Sequence, residues 1–217
     1  MNIFVETASI DEIRRSFLGG FADGVVLSES SYEGSGSAEG KALIAAISQE
    51  FAIPICVDIP AVNGDDIYRE AKELARITDH IVVQLPLVED AIEPMHRLSL
   101  EGVGTCANFV YTGAQAVLAA KAGASMVRVA LNELDQHGRT SSDVVNEIRS
   151  LLEASECECD VMVASPVTST QFTECITAGA QIVSIKPSVL QSLLLHPLTD
   201  RGIDRFLSDI ARRPRVH

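Results

Sequence analysis

Short apolar runs recur along this chain, separated by stretches in which apolar residues return every three or four positions. The run Ile81–Leu87 (IVVQLPL) is typical: apolar on both faces, broken only by Gln84, and closed by Pro86. A run of that length with no polar face predicts a strand buried on both sides, as in a parallel sheet. Similar runs predict strands over Asn2–Glu6, Asp23–Leu27, Ile53–Ile59, Ile81–Leu85, Gly104–Val110, Ser125–Leu131, Asp160–Ala164 and Ile182–Lys186.

Helical spacing fills the gaps. Ser9 with Glu12 has the spacing of a capping box at the head of a helix ending at Leu18 before Gly19-Gly20. Further helices are expected over Ala38–Glu50, Asp65–Ile77, Val88–Glu101, Thr112–Ala122, from Ser141 or Ser142 to Ala154, Thr170–Ala178, Leu190–Leu195 and Asp200–Ala211. In the third of these, Ile67, Ala71 and Leu74 form one stripe. Pro94 either restricts the Val88–Glu101 helix or marks its true first turn. The polar segment NELDQHGRT, 132–140, reads as the loop after strand six. Eight strand–helix units predict a single-domain (β/α)8 TIM barrel over residues 1–217, with a C-terminal helical extension. The competing arrangement is an open doubly wound sheet, but no glycine fingerprint of the required spacing follows an early strand.

Composition narrows the function. The formal net charge of −13 over 217 residues argues against nucleic acid as a partner. Arg212, Arg213 and Arg215 form a basic tail that reads as a solubilising end. No apolar run reaches the roughly 20 residues of a membrane span, and the N-terminus enters a strand at once, so no membrane association and a cytoplasmic location are expected. Five cysteines suit reduced thiols; Cys56 and Cys106 lie in apolar runs, and the Cys157–Cys159 pair lacks a second ligand pair for zinc. No cofactor motif is present. His80 precedes strand four, His96, His196 and His217 have no spaced partner, and His137 lies in the loop after strand six.

Four strings carry a resemblance: VETAS at 5–9, GVVLSES at 24–30, VVQLP at 82–86 and FVYTGAQAVLAAKAGA at 109–124, the last followed by LNELDQHG at 131–138. Together they resemble the transaldolases, in particular the small fructose-6-phosphate-aldolase-like branch. The resemblance implies a (β/α)8 barrel that forms a Schiff base between a strand-four lysine and a ketose, then cleaves or transfers a dihydroxyacetone unit. It also implies a homo-oligomer, a ring of five or ten subunits with the C-terminal helix reaching across an interface.

The same resemblance places the imine-forming lysine at Gln84, the first-strand aspartate at Glu6, a loop asparagine at Ser28, and the strand-five threonine at Asn108. The strand-six aromatic falls at Ala130, the phosphate-facing arginine at Glu133, and the strand-seven serine at Ser165. Glutamine cannot form an imine, and Glu133 repels a phosphate that arginine would hold. The implied function is therefore that of a divergent transaldolase- or aldolase-like protein acting on a small hydroxy-carbonyl or sugar-like compound. Its Schiff-base activity is absent or moved to Lys186. The alternative is a non-catalytic small-molecule-binding or structural subunit of a ring.

Lys186 is in phase with Ser184 and Ile182 and either supplies a relocated imine-forming amine, with Glu6 and Asp58 as its catalytic partners, or pairs with Glu6 or Asp58 to balance charge, or points outward. Gln84, Asn108, Ser28, Glu133 and Ser165 are the expected substrate contacts. Glu6, Asp58 and Glu133 could converge on a divalent cation, but no ligand motif supports a metal. Arg128, inside strand six, either faces the barrel interior and a carboxylate there, or faces the helices and pairs with Glu147 or Asp143.

Overall fold

A computed structural model describes residues 1–28, 36–136, 138 and 140–212. Eight parallel strands close into a barrel in sequence order, β1 (Asn2–Glu6), β2 (Gly24–Leu27), β3 (Ile55–Asp58), β4 (Ile81–Pro86), β5 (Gly104–Asn108), β6 (Met126–Ala130), β7 (Asp160–Ala164) and β8 (Ile182–Ile185), with β8 pairing back onto β1. The open sheet is thereby excluded, and the (β/α)8 barrel with C-terminal helices is the fold.

Strand parity divides each strand between two cores. Val5, Val25, Val57, Val83, Ala107, Val129, Val163 and Ile185 face outward into the large core under the helices. The alternate positions Phe4, Val26, Cys56, Val82, Cys106, Met162 and Ile182, with Met126 against them, fill the barrel interior. Phe4 determines what its neighbour can be. A Cβ on Gly24, its partner in register, would sit 2.6 Å from the Phe4 ring, so glycine is the residue that lets this ring fill the interior.

The helices are α1 (Ile10–Leu18), α2 (Ala38–Glu50), α3 (Gly64–Ala75), α4 (Glu89–Leu100), α5 (Gly113–Lys121), α6 (Leu131–Gln136), α7 (Ser141–Ala154), α8 (Ser169–Thr177), α9 (Pro187–Ser192) and α10 (Pro197–Arg212). Ser9 caps α1 as its spacing predicts, accepting from the Glu12 amide at 3.4 Å, but Glu12 returns its carboxylate to the Thr7 hydroxyl, 2.5 Å away. Pro94 lies inside α4 rather than at its first turn. A Cβ on Gly64 would meet the Asp90 carbonyl at 2.9 Å; Pro94, four residues on, has no N–H to offer that carbonyl.

Three expectations need correction. The segment read as a loop after β6 opens with the helix α6, because Leu131 and Leu134, three apart, are both buried against the outer core. Thr140, not Ser141 or Ser142, is the N-cap of α7, and the Ser141 hydroxyl donates instead to the Leu131 carbonyl at 3.2 Å. Strand β8 stops at Ile185, so Lys186 is the N-cap of α9, with Pro187 at its first position, where a missing N–H costs nothing. His137, Arg213, Arg215 and His217 lie outside the described residues, as does Glu29.

Candidate functional site

The site follows from counting two residues up each strand. Above the apolar interior, at the C-terminal ends of the strands, Phe4 gives way to Glu6, Val26 to Ser28, Cys56 to Asp58 and Val82 to Gln84. Cys106 gives way to Asn108, Met126 to Arg128 and Ile182 to Ser184; only β7 keeps an apolar residue, Ala164. The parity that packs the barrel below thus assembles a polar ring at the end where barrels carry their chemistry.

Arg128 faces the interior. Its guanidinium Nη2 lies 3.9 Å from Glu6, with side chains only 16% and 10% exposed, which settles the two orientations left open by the sequence. Glu147 is occupied elsewhere, accepting from the Gly113 amide at 2.9 Å. The Arg128–Glu6 contact is loose. Glu6 makes its shorter contacts to hydroxyls, accepting from Ser165 at 2.9 Å and Ser184 at 3.4 Å. Ser165 reaches Glu6 from a left-handed backbone, φ 56°, a conformation uncommon outside glycine.

Across the barrel, Asp58 accepts from the Asn108 side-chain amide at 3.0 Å. Asp58 and Gln84 are register partners on β3 and β4. Gln84 is 1% exposed, yet neither its Nε2 nor its Oε1 has a hydrogen-bond partner among the described residues; the same holds for Asn108 Oδ1 and Arg128 Nε. A buried amide left unpaired costs about 1–3 kcal/mol for each missing bond. Four such atoms lie on the three neighbouring strands β4, β5 and β6.

These groups line one cavity of about 330 Å³, walled by Ser28, Asp58, Gln84, Asn108, Phe109 and Arg128 among others. A second, of about 240 Å³, shares Phe109 and Arg128 and adds Glu133, Ala164 and Ser165. Phe109 stands between them, 54% exposed, on a backbone with φ 61°. Such a strained aromatic is a position that no pattern of apolar residues announces. Glu133 is exposed at the mouth and accepts from the Tyr111 hydroxyl.

Lys186 is exposed, forms no ion pair among the described residues, and walls neither cavity. The expected pairing with Glu6 or Asp58 is not present: Arg128 is the cation beside Glu6, and Asn108 holds Asp58. The three carboxylates Glu6, Asp58 and Glu133 do not converge, and no group of metal-binding side chains is formed among the described residues. Cys56 and Cys106 lie beneath the ring; burial first of all pushes the Cys56 thiol up to about 12 and Cys106 well above the ordinary value. Neither is a ready nucleophile. No helix among the described residues is long and apolar enough to cross a membrane.

A solved structure described as "Native KDPGal structure" superposes with a TM-score of 0.58 at 16% identity, covering 84% of this chain and 80% of that one, a likeness of fold. Sequence relatives are closer. A probable transaldolase of Bdellovibrio bacteriovorus is 34% identical over 209 residues, 96% of this chain and 97% of that protein. Probable transaldolases of Thermodesulfovibrio yellowstonii (34% over 209 residues, 96% and 97%) and Methanococcus maripaludis (32% over 212 residues, 96% and 97%) are similar along their whole lengths. The model of the transaldolase/fructose-6-phosphate aldolase family matches residues 37–213, and the chain belongs to that family.

Proposed function

We propose that the mouth of this barrel binds a small, unphosphorylated hydroxy-carbonyl or sugar-like compound through Gln84, Asn108 and Arg128, and that no imine forms on β4. The observation that carries this reading is the amide of Gln84, buried in the wall of the 330 Å³ cavity with both ends unpaired among the described residues. Beside it stand one further orphaned acceptor and one orphaned donor, on Asn108 and Arg128. Mixed donors and acceptors in a small cavity suit a ligand dense in hydroxyl and carbonyl oxygens. By resemblance the family's imine-forming lysine falls at Gln84, whose amide nitrogen is not nucleophilic, so the family's covalent step has no starting group there.

Charge argues against a phosphorylated ligand. Glu6, Asp58 and Glu133 outnumber Arg128 around the mouth. At an effective dielectric of about 20, a second charge about 6 Å away contributes about 3 kcal/mol, so each added carboxylate offsets most of what one arginine gives a dianion.

A second reading rests on strand phase. Ile182 packs inside the barrel and the Ser184 hydroxyl donates to Glu6, so Lys186 is next in the inward phase by sequence, although β8 has ended and its side chain is exposed. On that reading Lys186 supplies the amine and Glu6 and Asp58 handle protons. Borohydride reduction separates the two. Incubation with dihydroxyacetone and borohydride should leave the intact mass of the native protein unchanged. An adduct that disappears in Lys186→Ala would establish the lysine route instead.

Assembly into a homo-oligomer is supported by α10. It buries no residue, and Ile203, Phe206, Leu207 and Ile210 form an exposed apolar stripe at helical spacing.

A further inference from the structure

The polar ring contains the parts of a different reaction. We propose that this site enolises an α-hydroxy ketone without any covalent intermediate, with Asp58 as the base and with Arg128 and Gln84 holding the carbonyl oxygen. The inference rests on the reading that a hydroxy-carbonyl compound occupies the mouth. It adds the chemistry that the reading leaves open.

Enolisation needs a base beside the carbon that loses a proton and donors aimed at the oxygen that gains charge. Both are present in one cavity. The side chains of Asp58, Gln84 and Arg128 wall the same 330 Å³, and Asp58 and Gln84 are register partners on adjacent strands. The two donors are buried atoms that no described residue satisfies, Gln84 Nε2 and Arg128 Nε. Asn108 is the positioning residue, its amide donating to Asp58 at 3.0 Å. Glu6 does not wall this cavity and accepts from the Ser165 and Ser184 hydroxyls instead.

The electron count closes with these groups alone. The α C–H bond breaks and its proton goes to an Asp58 oxygen. The electron pair forms the carbon–carbon double bond, and the carbonyl π pair moves onto oxygen as an enediolate beside Arg128 and Gln84. Protonated Asp58 then returns a proton, either to the same carbon or, after a proton passes between the two oxygens, to the neighbouring one. The second course converts ketose to aldose. No oxidant, metal or second substrate enters. The negative charge of Asp58 is transferred to an oxygen next to the guanidinium, so a mouth too acidic for an added anion still tolerates this one.

The test uses dihydroxyacetone in deuterated buffer, followed by NMR, with native protein and Asp58→Asn. That variant keeps the shape of the side chain and removes the base. The same spectra report binding through broadening of the probe's lines, and intact mass after borohydride reports any imine. The expected result is deuterium entering the probe's methylene groups faster than in buffer, with glyceraldehyde appearing. Exchange should fall by about a hundredfold or more in Asp58→Asn, with native protein forming no reducible adduct. Binding without accelerated exchange would overturn the enolisation and leave the binding reading standing. Exchange that survives in Asp58→Asn, or that accompanies a reducible adduct, would also overturn it. Absence of binding would overturn both.

Discussion

Gln84 is subject to two opposed demands. Folding favours an apolar side chain at a position 1% exposed, between strands and directly above Val82. Ligand recognition favours an amide with both ends unpaired among the described residues. A residue kept at such a cost is one whose replacement should separate stability from function. Gln84→Leu, similar in volume, should raise thermal stability by about 1–3 kcal/mol, because burial of an unsatisfied amide is relieved. The same change should abolish binding of hydroxy-carbonyl probes. Differential scanning calorimetry checks the first half; a lower melting temperature would mean that the amide is already satisfied. Arg128 works differently. Its partner Glu6 is 10% exposed and would lose its neighbouring cation, so truncating Arg128 should destabilise the fold as well as the site.

At the scale of the strands, the barrel interior is a sulfur-bearing apolar floor under a polar ring. The thiols of Cys56 and Cys159 are raised to about 12 chiefly by burial, and Cys106 is raised well above its ordinary value. Folded thiols therefore stay protonated where an unfolded chain's thiols, near 9.0, have ionised. The unfolded state then binds fewer protons, so stability is complete below about pH 9 and falls as pH rises towards 12. Each such thiol steepens the loss by about 1.4 kcal/mol per pH unit. Denaturant titrations at neutral and alkaline pH should show this decline, and Cys56→Ala should make it shallower. The eight strands and the residues at their polar ends could be read directly, because an apolar run broken by one polar residue, as at Gln84, suits a buried strand of a parallel sheet and little else. Arg128 could not be oriented. Both faces of a parallel strand are apolar, so nothing local says which parity is interior; pairing in the closed barrel supplies that. Helix α6 was hidden by its polarity, its only signal being Leu131 and Leu134 three residues apart. The strain at Phe109 and the end of β8 one residue before Lys186 depend on backbone angles that residue types do not reveal.

The whole molecule combines a complete barrel with a helix whose apolar stripe is uncovered. Within α10, Phe206 is 63% exposed and Leu207 56%, and a contiguous exposed apolar stripe of this kind is characteristic of an interaction surface. Sedimentation should show an assembly for the native chain, and Phe206→Asp with Leu207→Asp should lower its mass towards 23.3 kDa while leaving barrel unfolding intact. A monomeric native protein would rule out this role for α10. The proposed function concerns the barrel mouth of a member of the transaldolase/fructose-6-phosphate aldolase family: a hydroxy-carbonyl compound held there by hydrogen bonds rather than by an imine. The most direct measurement is a 13C NMR titration of dihydroxyacetone labelled at its carbonyl carbon against native protein and Gln84→Leu. The predicted result is a saturable perturbation of the ketone signal by native protein, with no imine resonance formed, and no perturbation with Gln84→Leu. A new imine resonance, or equal binding by Gln84→Leu, would contradict the account.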